Sequence, residues 1–156
     1  MSVSVQQQDF DVGAEISALT RGRHQVGALA TFTGLVRDMN VGTGVKAMTL
    51  EHYPGMTERA LEEIVEQARG RWSVEGVRVI HRFGRLDPGD QIVFVAVTSA
   101  HRGEAFAACE FIMDYLKTRA PFWKREETPE GARWVDARES DGAAARRWEK
   151  DRSESF

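Results

Sequence analysis

The chain has almost no cysteine: Cys109 is the only one among 156 residues. A single cysteine excludes a disulfide within the chain and a cluster of thiolate metal ligands, and such low cysteine use fits a reducing compartment. The first residues lack the basic start and the apolar run of a secretory signal, and no stretch approaches the roughly 20 apolar residues that cross a bilayer. We therefore expect a cytoplasmic protein without a membrane partner.

The chain also lacks an excess of positive charge, because 21 Lys and Arg stand against 24 Asp and Glu and give a net charge of -3. No general attraction to nucleic acid is expected, so a site for an anion must come from local clustering of cations. Neither a metal-ligand motif nor a nucleotide-binding glycine pattern is present, and no metal or cofactor is expected. The length suits one domain with its own core.

Hydrophobic periodicity predicts an α+β fold, in which two long helices cover one face of a largely antiparallel sheet. The predicted strands are 26–36, 46–53, 77–83 and 91–100, followed by a β-hairpin over 122–137. One long helix is predicted to begin after Pro54-Gly55, and a second is predicted over 103–119. A short helix is predicted from Asp11 to about Leu19. Residues 1–10 are expected to be loose and 37–45 to form a mobile loop. The single domain is predicted to span 1–138, and the charged segment 139–156 to be a flexible tail or a frayed helix.

The cations follow the ends of these predicted elements. Arg37 ends a strand, His101 and Arg102 precede a helix, Lys117 lies in that helix's last turn, and Lys124 and Arg125 lie in the hairpin. Strand ends and helix starts are common ligand sites, and the N–H groups of a helix start suit a phosphate. Each cation alone also has an ordinary explanation, such as a helix dipole or a solvated hairpin face. Together they predict an anion site.

Cys109 is predicted to be structural rather than reactive. It shares an apolar helical stripe with Phe106, Ile112, Met113 and Leu116. Burial among such side chains disfavours the thiolate, which is the reactive form of cysteine.

Six blocks of the sequence resemble the signature blocks of the large, catalytic subunits of molybdopterin synthase. They are TGLVR (33–37), LEHYPGMTE (50–58), HRFGRL (81–86), SAHRGEAF (99–106), LKTRAPFWKRE (116–126) and ARWVDAR (132–138). The resemblance covers about residues 10–138. The block at 116–126 is the most specific, because it holds two lysines on either side of an Ala-Pro-Phe-Trp corner.

This resemblance implies an α/β-hammerhead-like fold with an antiparallel β-hairpin subdomain, and a homodimer at the core of a heterotetramer. It implies that each subunit binds a small ubiquitin-like sulfur-carrier subunit whose C-terminal Gly-Gly thiocarboxylate enters a pocket. The activity implied is that of a sulfurtransferase, which delivers two sulfur atoms to cyclic pyranopterin monophosphate and so forms the dithiolene of molybdopterin in molybdenum-cofactor biosynthesis.

The resemblance also implies which residues form the site. The substrate-binding residues would be Leu35, Val36, Arg37, His101, Arg102, Lys117, Lys124, Arg125 and Glu126. Lys117 and Lys124 would be catalytic, Lys117 next to the carrier's thiocarboxylate and Lys124 as a proton donor or acceptor on the pterin. Arg37, His101 and Arg102 would bind the phosphate and the pterin. The sequence leaves open which lysine performs which step.

Two other functions are compatible with parts of this pattern. A noncatalytic module could bind a ubiquitin-like tail, but a docking surface would need only a groove and not both lysines beside His101 and Arg102. A noncatalytic binder of a phosphorylated ligand or nucleic acid would explain the cations alone. The negative net charge and the lack of stacking aromatics beside the cations argue against nucleic acid.

Overall fold

The computed structural model describes residues 2–37, 39–40, 43–44, 47–128, 131–135 and 139–154. In chain order the elements are β1 (Val3–Gln6), α1 (Val12–Thr20), β2 (Ala28–Leu35), β3 (Met39–Asn40), β4 (Thr43–Gly44), β5 (Ala47–His52), α2 (Met56–Arg71), β6 (Gly76–Arg82), β7 (Gly84–Leu86), β8 (Gln91–Ser99), α3 (Arg102–Arg119), β9 (Phe122–Thr128), β10 (Gly131–Val135) and α4 (Glu139–Glu154). The predicted α+β class is confirmed.

The strands form two four-stranded sheets and one small ribbon. The first sheet has the order β1-β6-β8-β2 and the second the order β10-β9-β5-β7, while β3 pairs with β4. All pairings are antiparallel except that of β1 with β6. The chain passes from the first sheet to the second at Phe83, between β6 and β7. The end of β6 therefore lies where the two sheets meet.

Helices cover both faces of the first sheet. The main core lies between the sheet and the helices α2 and α3, and includes Val79, Val95, Phe111 and Ile112. A smaller core of Phe10, Ile80, Phe94 and Ala96, with three partly buried side chains of α1, covers the other face. Helix α1 begins where predicted, because the Asp11 carboxylate accepts a hydrogen bond from the N–H of Ala14 at 2.9 Å. The two long helices thus share one face, and α1 occupies the other.

The structure differs from the expected elements at the start of the chain and adds contacts at its other end. Residues 1–10 were expected to be loose, but β1 pairs with β6 and buries Val3. Where a flexible tail or a frayed helix was expected, the structure has α4. Trp148 of α4 is buried, donates a hydrogen bond from Nε1 to Asp114 at 2.6 Å, and packs edge-on against Phe111 and Trp72. One aromatic side chain thus joins a highly charged helix to the core.

Two further predictions concern the exposure of a helix side chain and the loop at 37–45. Phe106 was expected on the buried stripe of its helix, but its side chain is more than half exposed. Phe106 lies off the inward face, which instead carries Ala105, Ala108, Cys109 and Ile112. Residues 38, 41–42 and 45 of the predicted mobile loop lie outside the described residues. Among the described residues, no helix is both long and apolar enough to cross a bilayer.

Candidate functional site

The two predicted catalytic lysines lie at the junction of the sheets. Lys117 comes from the last turn of α3 and Lys124 from β9, and the positive charges of both act on the ring of His81 near the end of β6. Lys117 is exposed and Lys124 is partly buried. Two lysines from different elements therefore converge on one buried imidazole.

Two histidine rings pack against phenylalanine rings in this region. The rings of His81 and Phe122 are stacked, with centroids 3.8 Å apart. The ring of His52, at the end of β5, lies 4.4 Å from Phe83 and 6.1 Å from Phe122. Neither histidine was among the predicted site residues, although both lie within the resemblance blocks at 50–58 and 81–86.

The buried position of His81 controls its protonation. Burial lowers the pKa of His81 to about 3; the Arg82 carbonyl, 2.9 Å from Nδ1, opposes this shift, and the charges of Lys117, Lys124 and His52 add to it. Because a carbonyl oxygen can only accept, Nδ1 of His81 carries the hydrogen. His81 is therefore a neutral ring in the folded protein, and its hydrogen-bond acceptor is Nε2.

This burial makes a prediction about acid stability. In the unfolded chain His81 is protonated near the ordinary histidine pKa of 6.5, whereas in the folded protein its pKa is lowered to about 3. The contribution of the neutral His81 ring to stability is therefore fully present above pH 6.5 and is lost as the pH falls toward about 3. His81→Phe keeps an aromatic ring against Phe122 without a titratable group. Between about pH 7 and about pH 5, the free energy of unfolding of the wild type should fall by about 2 kcal/mol more than that of the variant. Urea unfolding at both pH values measures this difference, and equal losses would contradict a neutral His81.

Arg37 lies beyond an irregularity at the end of β2. The register of β2 against β8 shifts between Gly34 and Leu35, and a Cβ at Gly34 would lie 2.6 Å from Val93 Cγ1. After this bulge Leu35 is exposed, Val36 is buried against the turn before β8, and Arg37 is exposed. Bulges commonly redirect side chains beside functional sites. Of the three predicted substrate-binding residues here, Leu35 and Arg37 are available to a ligand.

His101 and Arg102 are held at the start of α3 by close backbone packing. Gly27 approaches so closely that a Cβ there would lie 2.3 Å from the carbonyl oxygen of Ala100. The Ser99 hydroxyl donates to the Ser73 carbonyl at 2.7 Å, and the Ser73 N–H donates to Glu104 at 3.1 Å. His101 is the N-cap residue, Arg102 is the first helical residue, and both side chains are exposed. These contacts fix the backbone positions of His101 and Arg102.

Within one chain, His101 and Arg102 lie far from the two lysines. Helix α3 separates position 101 from position 117, which at 1.5 Å per residue is about 24 Å. Arg37 lies at the lysine end, since Leu35 pairs with Gln91 at the start of β8 and Ala28 pairs with Ser99 at its end. The predicted site residues thus form two groups, a lysine end with Arg37, Lys117 and Lys124, and an arginine end with His101 and Arg102.

The hairpin divides the remaining predicted residues between its two faces. Side chains alternate along a strand, so Lys124 and Glu126 share the face of β9 that carries Phe122, and Arg125 points to the other face. Glu126 is buried and Arg125 is exposed. The structure therefore groups Glu126 with Lys124 and does not bring Arg125 to the same face.

Cys109 is confirmed as a buried structural residue. Burial, with the charge of Glu110 adding to it, raises the pKa of its thiol to about 11, and Sγ lies 3.9 Å from the Val95 carbonyl. No group of three or more His, Cys, Asp or Glu side chains in the described part of the chain is placed to hold a metal ion.

Comparison with known proteins identifies the relatives of this chain. The family described as MoaE protein matches residues 5–119. The molybdopterin synthase catalytic subunit of Ralstonia nicotianae is 64% identical over 147 residues, which cover 94% of this chain and 84% of that protein. A solved structure described as the molybdopterin biosynthesis MoaE protein of Burkholderia ambifaria has a TM-score of 0.81 and 57% identity, with 94% of this chain and 97% of that chain covered.

A more distant structure shares the fold. It is a Helicobacter pylori chain from a protein–protein complex of subunits 1 and 2 of molybdopterin-converting factor, with a TM-score of 0.73 at 18% identity and coverage of 88% of this chain and 92% of that chain. The family match and the close relatives agree with each other. The chain belongs to the MoaE protein family, whose members include the catalytic subunits of molybdopterin synthase.

Proposed function

We propose that this chain transfers sulfur from the C-terminal thiocarboxylate of a small ubiquitin-like carrier subunit to cyclic pyranopterin monophosphate, forming the dithiolene of molybdopterin. The observation that carries the proposal is the convergence of Lys117 and Lys124 on His81, where the two sheets meet. Both reactants are anions, one through its thiocarboxylate and the other through its cyclic phosphate. A site that holds them together must offset their mutual repulsion with cations.

The positions of the cations support the roles proposed for them. Lys117 is exposed at the end of α3, where it can meet the carrier's C-terminus and stabilise the charge that develops on the acyl intermediate. Lys124 is partly buried beside the histidines and the Phe122 ring, so it exchanges protons with the pterin. A docking module without chemistry would not need this pair.

The phosphate-binding residues His101 and Arg102 would come from a second copy of the chain. A single chain places them about 24 Å from Lys117 along α3. A twofold axis across the middle of β2 and α3 reverses the direction of both elements in the second copy. The arginine end of one subunit would then lie beside the lysine end of the other. In such a homodimer each of the two composite sites would take its lysines from one subunit and His101 and Arg102 from the other. All the predicted residues could then act together although α3 separates the two groups within one chain.

The surface around β2 has the properties of such a dimer contact. β2 is an outer strand of the first sheet as far as the chain is described, and it carries three exposed large apolar side chains, Leu29, Phe32 and Leu35. Phe106 of α3, the helix that packs on β2 and β8, is 66% exposed. Exposed apolar side chains beside an outer strand typically mark a contact with another chain.

The partner and the compartment are part of the same proposal. The Helicobacter pylori chain of the same fold occurs in a complex with a second subunit, and we propose that this chain likewise binds a carrier at the lysine end. Two carriers and the dimer would form a heterotetramer. The single, buried cysteine suits a cytoplasmic protein.

Reconstitution tests the proposed function directly. The protein is mixed with a thiocarboxylated carrier and cyclic pyranopterin monophosphate, and the dithiolene product is measured. Product should form only with the thiocarboxylated carrier and not with its carboxylate form. Failure to form product with a carrier that binds the protein would contradict the sulfurtransferase activity.

A further inference from the structure

His52 lies within reach of Lys124 across two neighbouring strands. The antiparallel register pairs His52 with Phe122 and Leu50 with Lys124. His52 and Lys124 are therefore diagonal neighbours, and because side chains alternate along each strand they project from the same face of the sheet. Diagonal neighbours have Cα atoms about 7–8 Å apart, a separation that long side chains bridge.

The hydrogen bonds of His52 fix which ring nitrogen is the acceptor. The Thr57 hydroxyl donates its one hydrogen to the Tyr53 carbonyl at 2.8 Å and accepts from the Tyr53 N–H at 3.1 Å. His52 Nδ1, 3.1 Å from the same hydroxyl oxygen, must then be the donor. The neutral ring consequently carries its lone pair on Nε2. Thr57 is completely buried, so this arrangement is well shielded.

The two histidines differ in their access to water. His81 is 4% exposed and neutral, and its stacked contact with Phe122 supports the start of β9. His52 is only partly buried. Of the two imidazoles beside the lysines, His52 is therefore the one that can exchange a proton with the solvent.

We propose that, after the Lys124 amine has taken a proton from the pterin, His52 accepts that proton from the resulting ammonium group and releases it to water, which resets Lys124 for the next sulfur transfer. This inference rests on the proposed function. The N–H bond at Lys124 Nζ breaks and one forms at His52 Nε2, leaving a neutral amine and an imidazolium, which then returns its proton to water. The titratable groups around this step are Lys124 and Glu126 of β9, Lys117 of α3, and His81 of β6. His52 is a positioning residue, because it acts on the substrate only through Lys124.

The first test removes the proton acceptor and keeps the local hydrogen bond. In His52→Asn the side-chain amide can still donate to the Thr57 hydroxyl but has no titratable nitrogen. With saturating carrier and pterin, kcat should fall by about 100-fold while KM for both reactants is unchanged. The matched control is His24→Asn, which changes an exposed histidine in the turn after α1 and should leave kcat unaltered. An unaltered kcat in His52→Asn, or a change in KM alone, would overturn the proposal.

Chemical rescue separates proton transfer from a structural effect. His52→Ala should lose activity as His52→Asn does, and added imidazole should restore it in proportion to the neutral fraction of the imidazole as the pH is varied. Loss of activity without rescue would show that His52 only supports the fold, and would overturn the proposal. Wild-type protein is assayed in parallel: if it forms no dithiolene, the proposed function fails, whereas full activity in both His52 variants would defeat this inference alone.

Discussion

Replacing Lys117 with alanine should lower the rate of dithiolene formation by about 10²- to 10⁴-fold, with the fold and the binding of the carrier retained. The side chain is exposed at the end of α3, so its removal leaves no cavity in the core. In the proposed mechanism, what is lost is a cation at the point where charge develops on the acyl intermediate. Single-turnover assays with preformed thiocarboxylated carrier measure the chemical step, and calorimetry measures carrier binding.

A matched control lies in the same turn of α3. Arg119→Ala also removes a cation from the helix's last turn, but Arg119 pairs with Glu149 of α4 at 2.6 Å and covers the ring of Tyr115. It should therefore leave the chemical step unchanged. Equal losses in both variants would mean that general charge near the helix end matters and would remove Lys117 from the mechanism.

Arg102→Ala should mainly weaken substrate binding, raising KM for the pterin by about 10- to 100-fold with a smaller effect on kcat. The guanidinium group stands at the start of α3, where backbone N–H groups add to its attraction for a phosphate. Its loss removes binding that the ground state and the transition state share. Steady-state kinetics with varied pterin and saturating carrier measure both constants.

The control for Arg102→Ala is Arg21→Ala, which removes an exposed arginine after α1, on the opposite face of the first sheet. This variant should have wild-type kinetics. A decrease confined to kcat in Arg102→Ala, with KM unchanged, would argue against binding of the phosphate by Arg102.

The elements with strong local signals could be predicted from the sequence. The Asp11 cap and the periodic apolar positions of α2 and α3 each depend on neighbours close in the chain. β1 was missed because its stability comes from parallel pairing with β6, more than seventy positions away. β7 is only three residues long and begins at Gly84, whose φ is +89°. For 139–156 a frayed helix was one of two alternatives, and the contacts of Trp148 with Asp114 and Phe111, which join α4 to the core, have no local sequence signal.

Most residues of the candidate site could be predicted from the sequence, but their arrangement in space could not. The resemblance supplied Lys117, Lys124, His101 and Arg102, but their division between the two ends of α3 follows from the length of the helix. His52 and His81 were not among the residues that the resemblance supplied. Their importance depends on the register of β5 against β9 and on the stacking of His81 with Phe122. Such long-range contacts are fixed by the fold and not by any local motif.

The proposed composite site can be tested by combining two damaged subunits. Lys117→Ala and Arg102→Ala chains are co-expressed with different tags, and the mixed dimers and the total pool are assayed at a pterin concentration where each variant alone is inactive. If each site takes its lysines from one subunit and Arg102 from the other, every mixed dimer has one intact site. The pool should then recover about a quarter of wild-type activity. Activity no higher than that of the separate variants, in dimers shown to be mixed, would contradict a site shared between two subunits.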